Sequence, residues 1–296
     1  MARSAHRIAL GQKEAVMSQF KEFWRMYRRN KAGVFGLVIL VTVLLVSLFA
    51  GLICPGDPLD MVTQSLLMPA QDRDYPMGSD VLGRDLAACI VHGSRVSLII
   101  GITATFASVC IGMVVGGLAG FYGGKIDDVL MRITEIIMTV PSFMFMLTLV
   151  ALLSPSVTTI TFAIAVVSWP TIARLVRVEC MTLRDREFVL AGIGIGMSDL
   201  RLIFTQVLPN TLAPVIVTSS IMVASAILNE SSLAFLGLGD PNVMSWGAII
   251  GEGRAVIRTA WHLTVFPGIA LLLTVLSINF VGDALNDALN PRLRQK

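Results

Sequence analysis

Charge is scarce in this 296-residue chain. Only 15% of its residues are Asp, Glu, Lys or Arg, against about 25% in a soluble domain. With 55% hydrophobic residues and a mean hydropathy of +0.77, the deficit excludes a water-soluble fold and defines an integral membrane protein. Histidine is nearly absent: His6, His92 and His262 are scattered and form no HExxH pattern, which argues against a metal centre or a catalytic triad. The four cysteines (Cys54, Cys89, Cys110, Cys180) have no metal-ligand spacing. Cys54 and Cys89 share one side of the membrane, so a pairing between them stays open, though nothing in the sequence brings them together. No GxxxxGK[ST] run is present, so no nucleotide site and no catalytic residue is expected in this chain. A cleavable leader is not expected either, because the basic first 31 residues lack a short apolar run followed by a small-residue cleavage site.

What is abundant is uncharged length. A helix needs about 20 apolar residues to cross the hydrocarbon core. Residues 32–54, 96–124, 202–229 and 259–282 are each uncharged runs of that order. Residues 136–173 are uncharged throughout, too long for one crossing, and Ser154-Pro155-Ser156 supplies a turn between two spans. Pro209 and Pro214 place the start of the fifth span near Asn210. Six membrane-spanning helices result. Of 23 Lys/Arg, only Arg73, Arg84, Arg95, Arg254 and Arg258 fall on the segments between odd- and even-numbered spans. The positive-inside bias therefore puts both termini and the loop 174–209 in the cytoplasm.

The expected organisation follows. Residues 1–31 form a cytoplasmic amphipathic segment in which Phe20, Phe23, Trp24 and Tyr27 fall at helical spacing among cations, as for a helix lying on the inner lipid surface. Residues 32–290 are the six-span unit, with outer segments 55–94 and 236–258, and 291–296 are a cytoplasmic tail. Gly112, Gly116, Gly120 and Gly124 recur every four residues, a face for close helix packing. Asp128 and Arg132 form an i,i+4 pair that supports the start of the third span, and Pro141 and Pro267 are expected to kink the spans that hold them. Glu230, between Asn229 and Ser231 at the outer end of the fifth span, is a candidate passage-lining acid, or an acid in the outer interface.

Between Arg174 and Arg201 lies RLVRVECMTLRDREFVLAGIGIGMSDLR, too charged for hydrocarbon. Thr182–Val189 is rich in helix formers, Gly192, Gly194 and Gly196 give a turn, and Ser198-Asp199 can cap a following helix. A helix–turn–helix pointing out of the membrane suits a groove on another protein; a solvated hairpin without a partner is the alternative.

This loop resembles the EAA-type coupling loop of binding-protein-dependent ABC importer permeases. Gly196 and Leu208-Pro209 keep the family spacing, while Leu190, Ala191 and Gly192 stand at the Glu-Ala-Ala positions, so only the alanine is literal. MGSDVLGRDL (77–86), HGSRVSL (92–98), FYGGKIDDVLMRITEIIMTVPS (121–142), LAFLGLGDPNVMSWGAII (233–250) and the tail 266–295 resemble the C-type subunit of dipeptide/oligopeptide/nickel-type importers. Asn286 and Asn290 depart from the family's more usual Arg and Asp. The resemblance implies an all-α type I ABC importer permease fold in the bacterial inner membrane, with residues 183–197 as the cytoplasmic coupling helix. Arg184, Asp185, Glu187, Phe188, Ala191, Gly192 and Gly196 would meet an ATPase. Implied partners are a homologous permease, two cytoplasmic ATPases that bind the ATP and Mg, an extracytoplasmic binding protein and membrane lipid, with no nucleic acid. Peptides are the leading cargo; nickel or metal chelates, opines and glycosides follow. A secondary transporter or channel acting alone would favour buried charge relays or inverted repeats, and neither is evident. A membrane-anchored receptor subunit would need no coupling loop.

Overall fold

The computed structural model describes residues 24–289; Phe20, Phe23 and the tail 291–296 lie outside the described residues. Nine helices of eight or more residues organise them: α1 (Lys31–Leu48), α2 (Leu86–Tyr122), α3 (Gly124–Thr139), α4 (Ser142–Leu153), α5 (Val157–Arg184), α6 (Glu187–Gly194), α7 (Asp199–Leu238), α8 (Trp246–Gly253) and α9 (His262–Leu289). Among the described residues there is no β-strand, only the isolated bridges Met61–Arg84 and Ser79–Asp85. Among the described residues five helices (α1, α2, α5, α7, α9) are long and apolar enough to cross a membrane, and α3 with α4, taken together as one bent span, is long and apolar enough for a sixth.

The helix starts follow local chemistry. Asn30 accepts from the Gly33 N–H at 3.0 Å, Asp85 from Ala87 at 2.9 Å, Ser156 from Thr159 at 3.1 Å and Ser245 from Ala248 at 3.3 Å, each satisfying a donor that the first turn leaves free. At 37 residues, α2 is about 55 Å long, well beyond the ~30 Å hydrocarbon core, so it projects past the membrane.

Three features differ from the sequence-based expectation. First, Ser154 does make the turn between spans, with φ at 69°, but the helix before it, α4, has only 12 residues. That is roughly 18 Å, too short to cross alone. The crossing is completed by amphipathic α3, and the two meet at 83°. Pro141 thus does more than kink a helix: its ring and the extended Val140 before it end one helix and begin another. Second, the helix that carries the fifth span begins well before Asn210. The helix runs on from Asp199 through Pro209, because a π-helical stretch at Ile203–Val207 takes up the missing N–H and the ring clash. Third, Arg132 pairs with Glu135 at 3.5 Å on an exposed face, one turn the other way from Asp128. Pro267 lies within the continuous α9.

The spans pack through small residues. An added Cβ at Gly112 would lie 2.6 Å from Ile172, at Gly116 2.3 Å from the Ala173 carbonyl and at Gly120 2.5 Å from the Arg177 carbonyl. The backbones of α2 and α5 therefore run in direct contact along three turns. Gly124 leaves this stripe, since α2 ends at Gly123 (φ 65°) and Gly124 opens α3. Gly33 and Gly36 seat α1 against Ala284 and Phe280 of α9. Tyr27 turns inward, is buried against Ala284 and Ala288 and donates to the Gly33 carbonyl at 3.0 Å. Trp24 stacks on it at 5.8 Å and stays partly exposed.

Candidate coupling hairpin and passage residues

At one end of the bundle, α5 stops at Arg184 and the chain breaks at Asp185–Arg186 before α6. The stretch Thr182–Val189 is thus divided between two helices. Gly192 and Gly194 belong to α6; the turn itself is made by Gly196 alone, with φ at 80°. The Met197 N–H closes the turn on the Gly192 carbonyl at 3.0 Å. Ser198 holds the N-cap position with extended backbone but makes no side-chain cap.

The hairpin is seated by an apolar inner face. Val189 is fully buried in a cluster with Val176, Cys180, Leu202 and Ile203. Gly192 is buried because a Cβ there would lie 2.5 Å from Leu202. The outer face is also apolar: Phe188, Leu190, Ile193 and Ile195 are exposed, Ile195 to 80%. Of the polar residues singled out by sequence, Glu187 opens α6, Asp185 caps α5 and pairs with Arg184 at 3.5 Å, and Arg184 donates to the Phe121 carbonyl at 3.3 Å. Arg184 thus ties the ends of α5 and α2 together; Ala191 is exposed on α6.

A larger cleft, about 940 Å³, lies between α3 and α5 and is lined by Asp127, Asp128, Arg132, Glu135, Arg174 and Arg177 among others. Arg177 grips Asp127 with two parallel bonds, Nε to Oδ1 and NH2 to Oδ2, both 2.5 Å. Fifty residues separate its members, so no local sequence pattern marks the pair.

Glu230 lies neither in a passage of this chain nor in an interface with water. It is 1% exposed and accepts from Ser97 at 3.0 Å and Ser231 at 3.2 Å. Ser231 is itself pressed against Gly247, where an added Cβ would meet its Cα at 2.4 Å. Glu230 and Ser231 therefore tie α7 to α2 and α8. Asn229 is half-buried; Ser225 and Ser232, about one turn to either side, are exposed and give α7 a mixed face.

At the opposite end, the segments 55–85 and 239–261 meet. Arg84, almost fully buried, bonds Asp80 and Glu252. Burial opposes its charge, but the bonds to Glu252 and Asp80 outweigh burial and hold its pKa above the ordinary value. Trp246 donates to the Ile90 carbonyl at 2.9 Å, and His262 contacts the Ser79 carbonyl at 3.3 Å. Burial would raise the Asp240 pKa, yet the N–H groups of Asn242 and Val157 and the Asn242 side chain hold it low; Asp240 thereby caps the first turn of α5. Cys54 and Cys89 are both free thiols, with Cys89 turned to the Pro58 carbonyl at 3.3 Å.

Five apolar helices of crossing length, a bent pair that can make a sixth crossing, and a hairpin with an exposed apolar face define a multi-pass membrane protein. Residues 112–295 match the family of binding-protein-dependent transport system inner membrane components, and residues 18–72 match the N-terminal transmembrane domain of oligopeptide transport permease C. The chain belongs to this family of ABC importer permeases. It is 38% identical to the di/tripeptide transport system permease DppC of Pseudomonas aeruginosa, covering 94% of this chain and 93% of that one. Against the dipeptide permease DppC of Escherichia coli K12 the figures are 36%, 94% and 95%. Against the oligopeptide permease OppC of Bacillus subtilis they are 35%, 94% and 92%. Among solved structures, the inward-facing MetNI methionine ABC transporter shares the fold at a TM-score of 0.55 and 18% identity, over 68% of this chain and 96% of that one. An amino acid ABC transporter solved with histidines gives 0.52 and 12%, over 68% and 94%.

Proposed function

We propose that the chain is the C-type permease of an importer for short peptides. It pairs with a homologous permease to enclose the passage, two cytoplasmic ATPases dock on the α6 hairpin, and an extracytoplasmic binding protein releases cargo at the opposite end. The α6 hairpin and both termini are then cytoplasmic, in agreement with the Lys/Arg distribution, and the membrane is the bacterial inner membrane. Closure of the ATPases around ATP and Mg moves α6, and α5 and α7, to which it is joined, tilt the passage between inward and outward openings.

The observation that carries this reading is the two-faced hairpin. A helix whose inner face is locked to the body and whose outer face exposes Phe188, Leu190, Ile193 and Ile195 suits a groove on a soluble partner. Peptides are favoured over nickel chelates or opines because relatives at 34–38% identity over most of the chain carry dipeptide and oligopeptide names. Membership of the family weighs against a transporter working alone.

Gly196→Arg tests the docking. No atom lies within 4 Å of an added Cβ there, so the cost to folding is the left-handed backbone alone, about 1–2 kcal/mol. The expected result is a complex that inserts and hydrolyses ATP but does not take up peptide. Gly196→Asn, which tolerates that backbone without filling a groove, retains uptake. Normal uptake by the arginine variant would overturn the docking.

A further inference from the structure

We infer that Asp127 and Arg177 are a positioning pair that fastens the broken crossing α3–α4 to α5, so that motion entering at α6 reaches the cleft wall. The inference rests on α6 being the ATPase contact, and its test separates the two.

The geometry gives this one fork a large share in seating α3. Of its 16 residues only Asp127 and Thr134 are buried; Leu130, Met131 and Ile137 are half-buried, so apolar contact holds α3 only in part. Ile126, Val129, Ile133 and Ile136 are all exposed. At the other end, α4 is rooted by Met146 and Val150, buried among Ile160, Ile164 and Leu233. The arm is therefore held by apolar packing beyond its 83° bend and by an ion pair before it. The two other side-chain links from its cleft face are weaker: Arg174 reaches the Met138 sulfur at 3.5 Å, and Arg132 pairs only with Glu135 of its own helix.

Arg177 is placed to transmit force. Its carbonyl is what an added Cβ at Gly120 would meet at 2.5 Å, so its backbone sits where α2 and α5 are in direct contact. It lies two turns from the end of α5, about 15 Å along the chain from the start of α6. A planar guanidinium bonded to both carboxylate oxygens fixes direction as well as distance. Rotation of the α5 end thus turns α3 with it, while the bend at Val140-Pro141 absorbs the angle relative to α4.

The experiment uses the whole importer in proteoliposomes: this chain, its homologous permease, the ATPases and the binding protein. Spin labels at Ile136 and Val178, both exposed, report the α3–α5 distance with and without ATP-vanadate. In the parent one narrow distance is expected in both states. In Arg177→Gln and Asp127→Asn the distribution broadens by about 5 Å, one helical turn, and tri-alanine uptake per ATP hydrolysed falls at least about tenfold, the scale of a broken coupling. The exchange Asp127→Arg with Arg177→Asp narrows the distribution again and recovers uptake. Gly196→Arg, in contrast, loses uptake with the α3–α5 distance unchanged. Distances in Arg177→Gln equal to the parent's in both states would sink the inference. So would broadened distances with full uptake per ATP, which would show that α3 need not follow α5. Unimpaired Gly196→Arg would instead sink the docking of α6 and leave the fork to be judged on the distances.

Discussion

The two ends of this bundle solve opposite problems. At the α6 end the charged groups of Asp185, Arg186 and Glu187 are exposed and the apolar ones face both ways: Val189 inward, Ile195 outward. At the far end long loops bury one ion-paired centre, with Arg84 between Asp80 and Glu252 and Trp246 bonded to Ile90. One end is braced by its own buried ion pair; the other presents an apolar helix face suited to a second molecule. A subunit that receives cargo on a preformed surface and is driven from its other side needs this asymmetry. The comparison makes a clear demand: substitutions at the far end should cost stability, while those on the outer face of α6 should cost function alone.

The largest effect is expected at Arg84. Arg84→Ala leaves Asp80 buried without its cation, a loss of roughly 3–5 kcal/mol, read as a lower unfolding midpoint in detergent. Arg84→Lys should recover little, because an ammonium cannot span Asp80 and Glu252 as the guanidinium does. Next is Leu202→Ala, which removes the side chain that fills the notch at Gly192. It should cost about 2–5 kcal/mol and, unlike Arg84→Ala, should also loosen α6, seen as faster proteolysis between Asp185 and Ser198. If Arg84→Ala were nearly neutral, the far end would not be the braced one.

How much of this was legible beforehand depends on range. The crossings, the broken run at Ser154 and the glycine stripe on α2 are local patterns, and they were readable because periodicity and uncharged length act within one helix. The bend at Pro141 is hard to see in the sequence because residues 136–153 look like one apolar segment. Only the polar face of α3 just before them shows that the crossing starts earlier and lies at an angle. The early start of the helix that carries the fifth span is hidden because a proline ordinarily ends a helix, and the π-helical stretch that rescues continuity has no clear mark in the sequence. At the site, Gly196 was legible as a turn, but Gly192 and Gly194 were not separable from it: glycine permits a left-handed backbone without requiring one. The Asp127–Arg177 and Arg84–Glu252 pairs join residues 50 and 168 apart. One signal did exist, namely charged residues at the ends of apolar spans, where each needs a partner.

Two smaller effects sharpen the contrast. Trp246→Phe keeps the ring packing and removes the indole hydrogen bond to the Ile90 carbonyl, which remains within the α2 helix. About 0.5–1.5 kcal/mol should be lost, with coupling between ATP hydrolysis and uptake unchanged in the folded fraction. Ile195→Ser should do the reverse. Its side chain is 80% exposed, so unfolding should shift by less than about 0.5 kcal/mol, within the scatter of surface substitutions. If Ile195 seats in an ATPase groove, however, the same change removes buried apolar area from that contact, roughly 1.5–3 kcal/mol for a fully covered isoleucine, and weakens ATPase binding by about tenfold or more. Titration of the purified ATPase against detergent-solubilised complexes measures this directly. Equal affinity for the parent and Ile195→Ser would mean that the apolar outer face of α6 is not the contact, and the two ends would then differ in composition but not in purpose.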